Sequence, residues 1–485
     1  MKRTGLTCAL ALSLGALGSF GLGVGTGAVH ADEVASKEAV HKLDLALERY
    51  YAKDYARSSP LLYESLKLLP ESDLRRDSGQ FNFADALSHL GFVQASLEQY
   101  IDIVEARRSP DLVGRSLEVI DHAVRLGQLD ERRLIDQVLF GNQYGDLPLE
   151  TADFVEYYQA LGELRRGFAE WGVHRLTELA KKERYYGFKA RYALGVSRLE
   201  QGNSEGAEKV WNALIEAEGT PNDVRNDARL ALARQRYEQK KYDEAFALYL
   251  TVDAPITQQD VVLLEKAWDR VADEDEPRAL GMVVGLGAPV YHRLFAPERA
   301  LIRTMALKRL CQFRMAHLAV QDFRSEWGRS LKVVREHQLP DEHLRTAMMN
   351  EPELRAEQKW QNELKEERDH LSRIADQPLK KYLDRLYLTK LDQVERAIAR
   401  HTDHALERVA EELLRIDEQM TILDYEIGVG LFRKAGEERA GGPLEGRLSP
   451  TGKKEADAVK YKFTGEYWSD ELGDYVVEAE DRCVR

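Results

Sequence analysis

The chain has 485 residues, of which 31% are charged and 44% hydrophobic, and a formal net charge of −14. It is longer than the roughly 250–300 residues at which a single core stops growing, so several domains or a repeat array are expected. The hydrophobic content excludes a disordered chain, and the acidity disfavours nucleic acid or anionic lipid as a partner, since both need a basic surface.

Lys2 and Arg3 precede an uncharged stretch from Leu6 to Val29. Val29-His30-Ala31 places small or apolar residues at the −3 and −1 positions, so residues 1–31 read as a signal peptide cut before Asp32. Repeated glycines make the stretch a poor membrane anchor, no second apolar span follows, and Cys8 lies too early in it for lipidation. The expected mature chain is exported and periplasmic or associated with an outer membrane. It carries 67 basic and 83 acidic residues and two cysteines, Cys311 and Cys483.

Residues 32–335 read as helical repeats. "ARYALGVSRLEQGNSEGAEKVWNALIE" is followed by "ARLALARQRYEQKKYDEAFALYLTV", which aligns Leu194 with Leu232, Gly195 with Ala233, Ala207 with Ala245 and Trp211 with Tyr249 at an offset of 38 residues. Small residues at the Gly and Ala positions let two antiparallel helices approach, and the large ones fill the space beside them. Leu161-Gly162, with His174 in the Ala position, precedes this pair by 33 residues; Ala279 follows Ala245 by 34, and Ala316 follows Ala279 by 37. Earlier candidates are "RYYAKDYARSSPLLYESLKLLP" and the unit beginning at Leu90-Gly91. Six or seven units are expected between Ser36 and Trp327.

These units resemble tetratricopeptide repeats, whose helix pair has a Leu-Gly in the first helix and an Ala and an aromatic in the second. The resemblance implies an α-solenoid with a concave groove that receives a peptide or helix.

Pro340 and Pro352 mark a boundary, after which residues 336–435 read as long helices. Leu406, Val409, Leu413, Ile416, Met420, Leu423 and Ile427 recur at steps of three and four, a coiled-coil seam. Three arrangements fit: amphipathic helices docked on the solenoid, a protruding hairpin turning at His401-Thr402-Asp403, or an unbroken helix of about 85 Å at 1.5 Å per residue. Residues 436–457, rich in Gly and charge, read as a linker. In residues 458–485 Val459, Tyr461 and Phe463, then Tyr475 and Val477, alternate with other residues around "SDELG", which reads as a small β-hairpin needing an anchor. A Cys311–Cys483 disulfide would supply one if the Cα atoms lie within about 7 Å.

No HExxH, CxxC, GxSxG or Walker sequence is present, and His401 and His404 have no acidic or Cys ligand at metal-binding spacing. No catalytic residue, metal, cofactor or small-molecule substrate is therefore expected. The segments "APVYHRLFAPERALIRTMALKRLCQF" and "KFTGEYWSDELGDYVVEAEDRC" resemble secreted repeat proteins of δ-proteobacteria, among them adventurous-gliding-motility proteins, which implies an envelope scaffold with protein partners. The alternatives from the sequence are a periplasmic chaperone for outer-membrane or secreted proteins, and a hydrolase with an unrecognised site.

Overall fold

A computed structural model describes residues 26–253, 259–291, 295–439, 464–468 and 471–483. Nineteen α-helices run through the described residues. In chain order they are α1 (Thr26–Tyr51), α2 (Tyr55–Leu68), α3 (Arg75–His89), α4 (Val93–Ala106), α5 (Pro110–Arg125) and the single turn α6 (Glu131–Arg133). There follow α7 (Leu149–Arg165), α8 (Ala169–Leu179), α9 (Tyr185–Glu200), α10 (Ser204–Glu216), α11 (Asn222–Glu238) and α12 (Tyr242–Leu250). The last are α13 (Gln259–Ala272), α14 (Glu276–Gly285), α15 (Glu298–Arg309), α16 (Phe313–Arg335), α17 (Glu342–Asn350), α18 (Pro352–Asp369) and α19 (Gln377–Arg439). The architecture is an all-α solenoid of tetratricopeptide-like helix pairs, closed by long C-terminal helices.

One turn geometry generates the array. The first helix of each pair ends on a residue in the left-handed region: Lys53, Gly91, Gly127, Gly167, Gly202, Lys240, Glu274 and Cys311. The residue after each donates its N–H to a carbonyl five positions back, as Phe92 does to Leu87 at 2.9 Å and Lys241 to Arg236 at 2.9 Å. This closure satisfies the orphan carbonyls of the helix end and reverses the chain. Successive turns lie 38, 36, 40, 35, 38, 34 and 37 residues apart, giving eight units.

Counted from that turn, the packing register is uniform. Seven residues before it stand Ala46, Ala84, Ala160, Gly195, Ala233, Ala267 and Thr304; five after it stand Ser58, Ser96, Gly172, Ala207, Ala245, Ala279 and Ala316, all buried. Nine after it comes a larger side chain: Leu62, Tyr100, Leu176, Trp211, Tyr249, Val283 and Val320, again buried. The sizes complement one another. Trp211, the largest, faces the one glycine, Gly195, where an added Cβ would lie 2.8 Å from the indole Cε2. Close approach of the backbones is direct in two units: the Ser58 hydroxyl donates to the Ala46 carbonyl at 2.8 Å, and a Cβ on Gly172 would lie 2.8 Å from the Ala160 carbonyl oxygen.

This register corrects the sequence alignment by two residues in one unit. Ala160 and Gly172, not Gly162 and His174, hold the small positions opposite each other; His174 is exposed and Leu161 half-buried. Gly162 faces the preceding unit instead, where its Cβ would lie 2.9 Å from both Ile135 and Phe140. That preceding unit is the degenerate one. Ile120 and Arg132 replace its small residues, and its second helix is α6 followed by a π-helical turn, Leu134–Leu139.

Of the three arrangements the sequence left open, the hairpin is absent: α19 is unbroken through His401-Thr402-Asp403 and docks on the array. Thr402 is helical and its hydroxyl bonds the Ile398 carbonyl four residues back at 2.7 Å. At 1.5 Å per residue its 63 residues span about 95 Å. It does not protrude. Leu379, Leu383, Tyr387 and Val394 share a core with Leu43, Leu62 and Phe83 of the first pairs. Val409, Leu413, Ile416, Met420 and Ile427, most of the expected seam, pack on Ala316, Val320 and Phe323 of the last pair and on Leu344 of α17. The helix therefore braces both ends of the array, and its apolar stripe is used within the chain.

No strand forms among the described residues of 458–485, which removes the expected hairpin there; Val459, Tyr461 and Phe463 lie outside the described residues. The described tail runs without regular structure across α14. Leu472 and Tyr475 bury among Leu263, Met282 and Ile302. The tail's pairing is to helix ends: Val477 N–H donates to the Pro277 carbonyl at 3.0 Å and Arg482 N–H to that of Leu310 at 2.9 Å. Residues 1–25 and 440–463, which include most of the signal peptide and the linker, also lie outside the described residues.

Candidate interaction groove

The irregular unit leaves a gap that a regular helix pair would fill. Residues 140–148 cross it as a loop fixed by hydrogen bonds: Gln159 of α7 donates to the carbonyls of Leu139 and Asn142 at 3.0 and 2.7 Å, and Tyr144 OH to that of Val138 at 2.7 Å. The Arg166 guanidinium stacks 3.6 Å from the Phe140 ring centre and pairs with Asp136 at 2.9 Å. A hollow of about 650 Å³ lies between this loop and the pair α7/α8, and a second of about 700 Å³ is lined by α7, α8 and Lys182; the two share Ala152, Glu156, Glu163, Trp171 and Arg175.

The groove is open, aromatic and acidic. Arg175 in its floor is held by Glu156 at 2.6 Å and Glu163 at 3.0 Å. At its mouth Trp171 is 72% exposed and Phe168 55%, whereas the Trp of the regular pair, Trp211, is 1% exposed. A large apolar side chain held open to water on a rigid helix marks a surface that gains by being covered. Nothing in the sequence alignment singled out Trp171; the signal was its place four residues after the turn glycine, Gly167, on the opposite side of α8 from buried Leu176.

A second seat is already occupied. On α14, Gly281 and Gly285 lie one turn apart, and a Cβ at either would collide with a backbone carbonyl of the tail, that of Tyr475 or Leu472. Cys311 and Cys483 form a disulfide across 172 residues, with Cα atoms 5.0 Å apart. These two glycines are thus the bed of the tail.

Of the other residues read from the sequence, Gly195 faces Trp211, which clusters with Ala207, within α9/α10, whereas Leu194 packs on the preceding core; Ala233, Ala245 and Tyr249 cluster within α11/α12, where Leu232 is also buried, while Ala279 and Ala316 occupy the small positions of α14 and α16. These residues pack the scaffold and do not converge on a site. Among the described residues no group of three metal-ligating side chains exists. No helix of the described residues is long and apolar enough to cross a membrane.

Where the brace meets the array the electrostatics are unusual. The α4 N-terminus has no capping side chain of its own; Glu367 of α18 supplies one, accepting from the N–H of Gln94 at 2.8 Å and from Tyr387 OH at 2.8 Å. Burial pushes the Glu367 carboxyl up to about 7, against the helix N–H groups and Tyr387 that favour its ionised form. Nearby, buried Glu98 receives Arg133, which stacks on Trp360, and Lys390 of α19 at 2.6 Å. A carboxyl whose folded value lies above its unfolded one binds more protons in the folded state, so its contribution is full below about pH 4.5 and lost as pH rises through 7. Between pH 5 and 8 the wild-type chain is expected to lose about 3 kcal/mol through this group. Glu367→Gln should flatten that slope in urea titrations, and an unchanged slope would refute the assignment.

No known family's sequence pattern matches the chain, and no curated protein does. Among solved structures, it is similar to a tetratricopeptide repeat protein from Parabacteroides merdae ATCC 43184, at 12% identity over 60% of this chain and 93% of that one, with a TM-score of 0.26. It is also similar to a circular tandem repeat protein with novel repeat topology and enhanced subunit contact surfaces, at 14% identity over 84% of this chain and 99% of that one, with a TM-score of 0.18. Such scores carry no detail, and the fold stands on the turns and the packing register described above.

Proposed function

We propose that the chain is a non-catalytic protein-interaction scaffold whose recognition surface is the groove between α7/α8 and residues 140–148. The observation that carries this reading is Trp171, exposed beside Phe168 on a helix whose opposite side is fully packed. Its mixed aromatic and charged lining suits one defined segment better than the long apolar rows an unfolded client of a chaperone would need. Of the lining carboxylates, Glu156 and Glu163 are engaged by Arg175 and Glu178 by Lys181, so these are not poised as a general acid and base.

We further propose that the scaffold works in the cell envelope, exported by residues 1–31. Two features support this: the basic start and apolar stretch, and the Cys311–Cys483 bond, which suits an oxidising compartment. A role in a motility machine rests on the resemblance of two segments, which the tail brings together, since Cys311 lies in one and Cys483 in the other. Trp171→Glu is the test. Tagged wild-type and variant protein are recovered from the producing cells and compared by mass spectrometry. The wild type is expected to retain a stoichiometric protein that the equally stable variant loses, and to begin at Asp32; identical recoveries from the two would contradict the proposal.

A further inference from the structure

We infer that the α7/α8 groove takes a partner-protein segment in which a Lys or Arg adjoins an apolar side chain. This rests on the scaffold reading above and names the chemistry of the occupant.

Charge bookkeeping around the groove gives the sign. Its acidic lining is Glu156, Glu163, Glu170 and Glu178, and its cations are Arg175 and Lys182. Lys182 shares the buried Asp153, outside the lining, with Arg184, at 2.5 and 2.6 Å, and Glu178 pairs with Lys181 at 2.6 Å. Arg175 is shared by two carboxylates. Glu170, in the first turn of α8 beside Trp171, has no ion pair among the described residues and is exposed. A cation laid beside Trp171 meets the uncompensated carboxylate of Glu170, reinforced by the net charge of −14 on the whole chain; an anion is repelled by both.

The aromatics give the second requirement. An exposed indole next to a carboxylate favours a Lys or Arg on the ring face, with an adjoining apolar side chain covering Phe168 and the mouth of the hollow. The loop is held by hydrogen bonds and the floor by the Arg175 pairs, so little ordering is needed on binding.

The experiment uses the full mature chain and three short fluorescent peptides repeating Lys-Leu-Ser, Glu-Leu-Ser and Lys-Gly-Ser, followed by anisotropy at low and physiological salt. Lys-Leu-Ser is expected to bind about tenfold more tightly than either of the others, since each lacks one of the two requirements. Trp171→Ala should weaken it about fivefold, the loss of one cation–π contact, and Glu170→Lys at least as much. Phe432→Ala, on the exposed tip of α19, should leave it unchanged. Both groove positions are exposed, so melting curves of the variants are expected to overlay the wild type. Equal binding of the acidic peptide, or binding indifferent to both groove substitutions, overturns the inference. If partner capture in cells still depends on Trp171 while the peptides show no cationic preference, the scaffold reading stands and the cationic occupant falls.

Discussion

Gly195→Val is expected to destabilise the centre of the array by about 3 kcal/mol, because the added side chain enters space filled by a buried indole. Trp211 is 1% exposed, and even a Cβ at residue 195 would lie 2.8 Å from its Cε2, so neither group can yield without opening α9 from α10. Trp211→Val alone leaves a cavity and is expected to cost about 4 kcal/mol. Combined, the two should cost much less than their sum, since a β-branched residue facing Val is the arrangement that the α15/α16 pair already uses in Thr304 and Val320. Chemical denaturation of the two single variants and the double variant measures the coupling. Additive losses would mean that the two positions do not face each other, and the register drawn from the turns would fail with them.

The second large effect concerns the tail. Cys483→Ser is expected to lower stability by up to about 5 kcal/mol, the chain-entropy value for closing a loop of this length, reduced by any residual structure in the unfolded chain. The enclosed loop holds α16, the second helix of the last pair, and all of α17 to α19, so the bond fastens the brace as well as the tail. Gly281→Leu attacks the same seat without touching a thiol, because its side chain must displace the Tyr475 carbonyl. Melting temperatures with and without reductant distinguish the cases: wild type should be sensitive and Cys483→Ser insensitive. Wild-type melting indifferent to reductant would contradict the account.

The pairs α9/α10 and α11/α12 were legible because Gly195, Ala207, Trp211 and their counterparts Ala233, Ala245 and Tyr249 stand at the same distances from their turns. It slipped by two residues at α7, where Leu161-Gly162 imitates the motif while the true small residues are Ala160 and Gly172; two small residues within one turn of α7, Ala160 and Gly162, offer two registers, and only the turn at Gly167 selects between them. The π-turn unit was invisible for a physical reason. Its packing uses Ile120 and a loop in place of small residues, so no periodic signal exists, and it is this irregularity that opens the groove. The seam of α19 was legible as spacing, but spacing does not say whether the covering surface is another chain or the chain's own repeats. The tail read as a hairpin because alternation of apolar residues also suits an extended segment laid over a glycine-lined helix. The turn at His401 failed because Thr402 bonds back along the helix and no Gly or Pro interrupts it.

The most direct measurement of the central claim places a photo-crosslinking amino acid at residue 171 and, separately, at Leu339, which is 88% exposed and far along the chain in the α16–α17 connection. Irradiation in the producing cells is predicted to give one discrete adduct from position 171, retained under denaturing conditions, and none from position 339. Its loss on introducing Glu170→Lys would tie the contact to the groove. No adduct from position 171, or the same faint ladder from both positions, would contradict a recognition surface at α7/α8.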